Sequence, residues 1–401
     1  MTNLAARLED PRRALTPNGI AITGIVLGVL AFWSAIPPFD ARTLVFPVLI
    51  GVLAMAAGVW GISRGRRRVG WGAVVSGLIG LSLGILATHS STSNLHTVFA
   101  ADLVASTLVF ATPLTFAAIG GMVSERSGVV NVGLEGMMLM GAFWGVYGAD
   151  KTGSWAAGLV IAVFSGGIFA GLHAFWAIHL RADQIVSGMA INFLALGVTG
   201  YFFEQLYGQQ NIPSGVSTVP NVKIPLLSHW TYVGPAIGDL NLLVWIAILL
   251  VPLSYVALFK TAFGLRVRAC GEHPRAADTV GINVYTVRYM AVITSGMLAA
   301  LGGAYLSIGF GGGSFTEDMT EGRGFIALAA MIFGNWRPFG AFGAAVLFGF
   351  STALAFRLPA YSSSAAILFQ ALPYVLTLVA VAGLIGRTIP PAADGRPYRK
   401  Q

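Results

Sequence analysis

Charge is what this sequence has least of. Lysine, arginine, aspartate and glutamate make up 10% of its 401 residues and hydrophobic residues 56%, whereas a soluble domain is roughly 25% charged. A chain so poor in charge cannot clothe a water-facing surface, which excludes an ordinary soluble protein. Cysteine is nearly missing as well. Cys270 is the single one, so no intramolecular disulfide framework exists, and its place in a charged stretch reads as a reduced cytoplasmic thiol. A Walker-type phosphate loop, GxxxxGK(S/T), is absent, as are HExxH and CxxC. His173 and His179 do not share a helix face and read as packed or helix-end histidines. With no nucleophile, base and metal set, nothing supports a membrane-embedded enzyme. Strict alternation of polar and apolar residues is also lacking, which disfavours a β-barrel.

What the chain has instead is a series of apolar runs, each about 20 residues and so long enough to cross a hydrocarbon core. Its 51 glycines suit close helix packing in lipid. The expected fold is all-α: a polytopic membrane protein of about 10–12 transmembrane helices with broken or half-helices in both halves. Residues 1–95 form an N-terminal extension with about three such helices, over Gly19 to Ile36, Leu44 to Ile62 and Val69 to Ala87. Residues 96–386 form the core and 387–401 a basic tail. The net charge of +8 falls mostly in short loops and termini, including Arg64, Arg66, Arg67 and Arg68. The positive-inside rule accounts for that without nucleic acid and puts both termini in the cytoplasm.

Two stretches are poor as plain spanning helices. The first, SERSGVVNVGLEGMMLMGAF, packs Glu125, Arg126, Asn131 and Glu135 among glycines, where charge is expensive in lipid. Non-helical backbone at that depth is tolerated only against protein or a water-filled cavity, which places the segment on a lined pathway. The second, GFGGGSFTEDMTEGRG, opens into Phe325 to Phe333, too short to cross alone. Short, glycine-interrupted segments in both halves point to a transporter's central site, pairing Val129 to Gly141 with Gly322 to Gly334.

The longest charged stretch between apolar regions is Phe263 to Tyr289, with Arg266, Arg268, Arg275 and Arg288 against Glu272 and Asp278. It lies in the cytoplasm. Within it, Pro274 starts a candidate helix to Ile282 with a small face of Ala276, Ala277 and Gly281. The residues alone leave two readings open, a docking element for a soluble partner or a solvated loop.

The pattern GxRxRAxGExPxAAxxxGI, Gly264 to Ile282, resembles the coupling segment of ATP-binding-cassette importer permeases of the branched-chain amino acid and ribose type. SERSGVVNVGLEGMMLMGA, ADQIVSGMAINFLALG and FTEDMTEGRGFIALAAMIFGNWRPFGA are similar to the nucleoside-importing subgroup. The first 95 residues depart from that family. The resemblance implies a plasma-membrane permease without its own ATPase or cofactor, ATP and magnesium being held by partner ATPase subunits. It also implies a second permease, homologous or identical, and an extracytoplasmic substrate-binding lipoprotein. Glu272, Arg275, Ala276, Ala277 and Gly281 would then couple to the ATPase by rigid-body motion.

For the substrate pathway the candidates are Asn131, Glu135, Asn192, Glu321 and Arg323, because nucleosides are neutral and rich in donors and acceptors. Structural roles stand beside these. Glu135 would cap a broken helix or pair with Arg126, Asn192 would bond between helices, Arg323 would mark an interface, and Trp336 with Arg337 would anchor at the membrane interface. Two alternatives remain: an ion-gradient-driven carrier or channel with Asp102, Glu125 and Glu135 as a proton relay, and a related permease for sugars or branched-chain amino acids.

Overall fold

The computed structural model describes residues 17–34, 43–89, 102–208, 215–225, 234–357 and 388–400. Among them, seven helices are long and apolar enough to cross a membrane and three more apolar helices are shorter. The chain is a multi-pass, all-α membrane protein; the described strands form one two-stranded ribbon. A further apolar run, Ala365 to Ile385, and all but the first residue of the polar link HSSTSNLH, His89 to His96, lie outside the described residues.

The chain divides into two compact units, residues 1–103 with 354–370, and residues 104–353 with 371–401. The first contains α1 (Pro17–Trp33), α2 (Val45–Ser63) and α3 (Arg67–His89), which pack mutually. Small residues face inward, among them Ala21, Ala54 and Ala73, while Val45, Val52 and Val59 stay exposed on a face suited to lipid.

The second unit takes in nearly all of α4 (Asp102–Arg126), which runs unbroken through Pro113. Residues 111–125 are all buried, and neighbouring helices compensate the backbone bond that a proline removes. α5 (Leu134–Thr152) and α6 (Trp155–Ala174) follow, α6 ending in a π-turn, Phe175–His179. Then come α7 (Gln184–Tyr207) and an antiparallel ribbon of β1 (Asn221–Lys223) with β2 (Asp239–Asn241). α8 (Leu242–Lys260), α9 (Ala262–Glu272), α10 (Pro274–Thr279) and α11 (Val284–Ala304) complete the middle. α12 (Arg323–Phe333) and α13 (Pro338–Arg357) close the helical part. Side-chain N-caps set several of these starts: Asp183 for α7, Asn241 for α8, Thr261 for α9 and Asn283 for α11.

α5, α6 and α11 pack together as the centre of this unit. Their shared faces are small and their outer faces are not. Val160, Phe164 and Ile168 recur every four residues along the exposed side of α6, the spacing of one helical face against lipid.

The charged stretch differs from its expected form. It folds as two helices, α9 and α10, with Cys270 buried between them and the core. The expected helix from Pro274 to Ile282 ends at Thr279, because Gly281 takes a φ of +85° and the Ile282 amide turns back to the Ala277 carbonyl at 3.1 Å. Ala277 therefore points into the core, while Ala276 and Gly281 are exposed, so the three do not form one face.

Candidate functional site

The stretch from Ser127 to Gly133 joins α4 to α5; its first amides turn back onto the end of α4, and from Val130 on the backbone amides make no helical hydrogen bonds. Side chains from three helices replace them. Gln184 Oε1 accepts from the Val130 amide at 2.7 Å, and His173 Nε2 lies 3.0 Å from the Val130 carbonyl. A carbonyl only accepts, so His173 carries its proton on Nε2 and its Nδ1 accepts from Ser187 Oγ at 2.9 Å. Asn192 takes the Gly136 amide on Oδ1 at 2.8 Å and donates from Nδ2 to the Val132 carbonyl at 3.1 Å. Asn131 takes the Gly133 amide at 3.1 Å and donates to Ser295 Oγ at 2.9 Å. This substitution of side-chain partners is what lets irregular backbone persist at membrane depth.

α5 and α12 meet end to end at Glu135. Its Oε1 accepts from the Gly322 amide at 2.7 Å and its Oε2 from the Gly324 amide at 2.5 Å. One carboxylate thus sits in the first turn of α5 and caps α12, two helix N-termini whose partial positive charges it offsets. Glu135 caps a broken helix, then, and Arg126 lies elsewhere: its guanidinium donates to the Trp336 carbonyl at 3.1 and 2.8 Å. Position 324 must be glycine, since a Cβ there would stand 2.5 Å from the Glu135 nitrogen.

Glu321 and Arg323 flank the same junction. Arg323 Nη1 donates to the Met319 and Thr320 carbonyls at 3.0 and 3.2 Å and pairs with Glu321 at 3.1 Å. The Glu321 side chain is 72% exposed and that of Arg323 21%, so this ion pair adds little stability. The structure gathers Asn131, Glu135, Asn192, Glu321 and Arg323 around the starts of α5 and α12. The first three and Arg323 have their polar atoms engaged by protein, and Glu321 presents its carboxylate outward.

The basic end of the unit is built differently. Glu272, Arg275, Ala276 and Gly281 are exposed along α9 and α10, whereas Ala277 is 3% exposed. Burial pushes the Cys270 thiol up to about 11, so it is an inert core residue. The tail at 388–400 lies on this end. The Ala393 amide donates to the Gly271 carbonyl at 2.8 Å, the Ala392 amide to Glu272 at 3.2 Å and the Ile389 amide to Asn335 at 3.1 Å. Arg288, 2% exposed, donates to the carbonyls of Ser127 and Arg396, both at 3.1 Å.

Trp336, read from sequence as an interfacial anchor, is 5% exposed and donates from its indole to Glu125 at 2.6 Å. It is held, with Asn335, at positive φ (51° and 54°), a conformation that costs a bulky residue about 1–3 kcal/mol. The sequence gives a partial signal in NWRPFG, because asparagine tolerates that region and Pro338 starts α13. The tail gives none, since its grip runs mainly through backbone amides.

The family described as branched-chain amino acid transport system / permease component matches residues 103–381. The chain is 44% identical over 309 residues, 74% of its own length and 96% of the relative's, to the guanosine ABC transporter permease protein NupQ of Bacillus subtilis (strain 168). It is 40% identical over 308 residues, 74% of the chain and 96% of the relative, to the nucleoside ABC transporter permease protein NupC of Lactococcus lactis subsp. cremoris (strain MG1363). A putative glucose ABC transporter permease protein, TsgC13 of Haloferax volcanii, is 37% identical over 263 residues, 65% of the chain and 78% of the relative. No solved structure matches. The family match starts just beyond the three N-terminal helices and takes in both broken segments, the α9–α10 stretch and most of the remainder. This chain belongs to the branched-chain amino acid transport system / permease component family.

Proposed function

We propose that the chain is the membrane-spanning permease subunit of an ATP-driven importer of nucleosides. The observation that carries this reading is the similarity to the NupQ and NupC permeases, which covers 96% of each relative. Its partners are ATPase subunits that bind ATP and magnesium, a second permease, homologous or identical, and an extracytoplasmic substrate-binding lipoprotein. Both termini, α9 and α10 face the cytoplasm, in keeping with the basic residues there.

The pathway runs past the facing starts of α5 and α12. Asn131, Glu135 and Asn192 hold the two helix ends in place, and Glu321 with Arg323 offers polar groups to the cargo. A route built this way binds weakly, which suits passage of a neutral solute. Closing of the ATPases on ATP displaces Glu272, Arg275, Ala276, Ala277 and Gly281, and the pathway alternates between outward and inward access.

Uptake of a radiolabelled nucleoside by cells carrying the whole system tests this. Uptake should stop when the ATPase is deleted and persist under an uncoupler. Survival without the ATPase combined with collapse under the uncoupler would overturn the reading in favour of an ion-gradient carrier. The TsgC13 similarity supports a sugar as second cargo class. Competition by excess glucose, with none by unlabelled nucleosides, would move the assignment there.

A further inference from the structure

The tail touches every element at the basic end that the proposed transport cycle would move. Ala392 and Ala393 hold Glu272 and Gly271 at the end of α9, and Tyr398 packs its ring 5.5 Å from Tyr285 at the start of α11 and lies beside Asp278 in α10. Ile389 holds Asn335, in the turn between α12 and α13. Asp394 lies against Glu125 at the end of α4 and near Arg288. Glu125 in turn holds the Trp336 indole, so the tail reaches the α12–α13 turn by two routes.

The tail carries an acid into this pocket. Arg288 is a fully buried cation, and Glu125 and Asp394 are two buried acids beside each other. Asp394 Oδ1 has no hydrogen-bond donor among the described residues. One proton held between the carboxyls supplies that donor and leaves a single negative charge opposite Arg288. Asp394 is the carboxyl that acts on Arg288, and undocking would take that partner away from a buried cation, which is unfavourable.

We propose that residues 389–398 are a clamp that transmits displacement of α9 and α10 to the end of α4 and to the turn between α12 and α13. Along α12 that displacement reaches Gly322 and Gly324, the two amides that Glu135 holds. A rigid link is needed because α10 is only six residues, Pro274–Thr279, and is followed by Gly281 at positive φ. The tail closes a loop around it. This inference rests on the ATP-driven reading, since it assigns the tail a place in coupling.

The test uses the whole complex, with its ATPase, second permease and binding lipoprotein, in proteoliposomes. Three variants are compared with wild type: a truncation after residue 387, Asp394→Asn, and Ile389→Pro, which removes the amide donated to Asn335. Nucleoside transported per ATP hydrolysed should fall roughly tenfold in each while ATP hydrolysis continues, the size of a typical coupling between sites. Unchanged transport per ATP would overturn the clamp, and so would transport and hydrolysis falling together, which would make the tail an assembly element. Should the truncation fail to insert, the two point variants decide on the same criteria. Wild-type uptake without the ATPase would remove the ATP-driven reading and the clamp with it. ATP-dependent wild-type uptake with fully coupled variants would remove the clamp alone.

Discussion

The junction of α5 with α12 and the basic end around Glu125 each hold a buried glutamate, yet they hold it by opposite means. Glu135 is fixed by two backbone amides, at Gly322 and Gly324. Glu125 is fixed by an indole and by a second carboxyl that arrives from the far end of the chain. Backbone amides of a helix start cannot turn away without unwinding the helix, so the junction behaves as one rigid piece. The basic end is joined by a few bonds to a thirteen-residue strap, 388–400, and to a turn already strained at Asn335 and Trp336. It is the part that can rearrange at modest cost.

Breaking the rigid side should have the largest effect. Gly324→Val places a side chain against the Glu135 backbone, and overpacking of that kind costs about 3 kcal/mol or more. Loss of monodisperse protein on size-exclusion chromatography in detergent is expected; wild-type yield and melting would mean that the two helix ends do not meet so closely. Glu135→Ala leaves two buried amides without an acceptor, about 2 kcal/mol or more. Glu135→Gln keeps one acceptor and should lower thermal stability by about 1 kcal/mol, with inserted protein and altered uptake. Equal melting temperatures for the two variants would deny the cap.

The basic end should respond to pH where the junction does not. Burial pushes the Asp394 carboxyl up to about 7, above its unfolded value near 3.9. The docked tail therefore binds a proton that the free tail releases, so docking is strongest in acid and weakens as pH rises from about 4 through about 7. Hydrogen exchange at the Ala392 and Ala393 amides should quicken between about pH 4 and about pH 7 beyond its intrinsic base catalysis. Asp394→Asn should flatten that extra dependence, and an unchanged slope in the variant would assign the effect to another group.

Smaller still are substitutions on the exposed face. Gly281→Val meets nothing within 4 Å, but at φ +85° it is strained, by about 1–2 kcal/mol. Ala276→Leu is exposed and should change stability by less than about 0.5 kcal/mol. Both should weaken pull-down of the ATPase. Full pull-down with Ala276→Leu would clear this face of a docking role and leave the contrast between the two regions a matter of stability alone.

Much of this was legible in the residues. The shortage of charge required a membrane fold, and the glycines with Glu135 and Asn131 marked a break where α5 begins. The segment from Phe325 marked the second half-helix, found as Arg323–Phe333. These follow from local rules, since a hydrocarbon core fixes helix length and glycine beside charge defeats a plain span. The exposed α10 face was legible only in part, because a helix of uncertain length does not say which alanine turns inward.

Composition and spacing along the chain therefore dictate the solvent, the helical class and the places where helices fail. Packing in three dimensions selects who repairs each failure. Glu135 finds its amides about half a chain away, Asn192 and Gln184 supply bonds that a helix would have made for itself, and the tail supplies the second acid beside Glu125. Such partners are chosen by three-dimensional proximity among buried polar groups that must all be satisfied. No spacing along the chain encodes them.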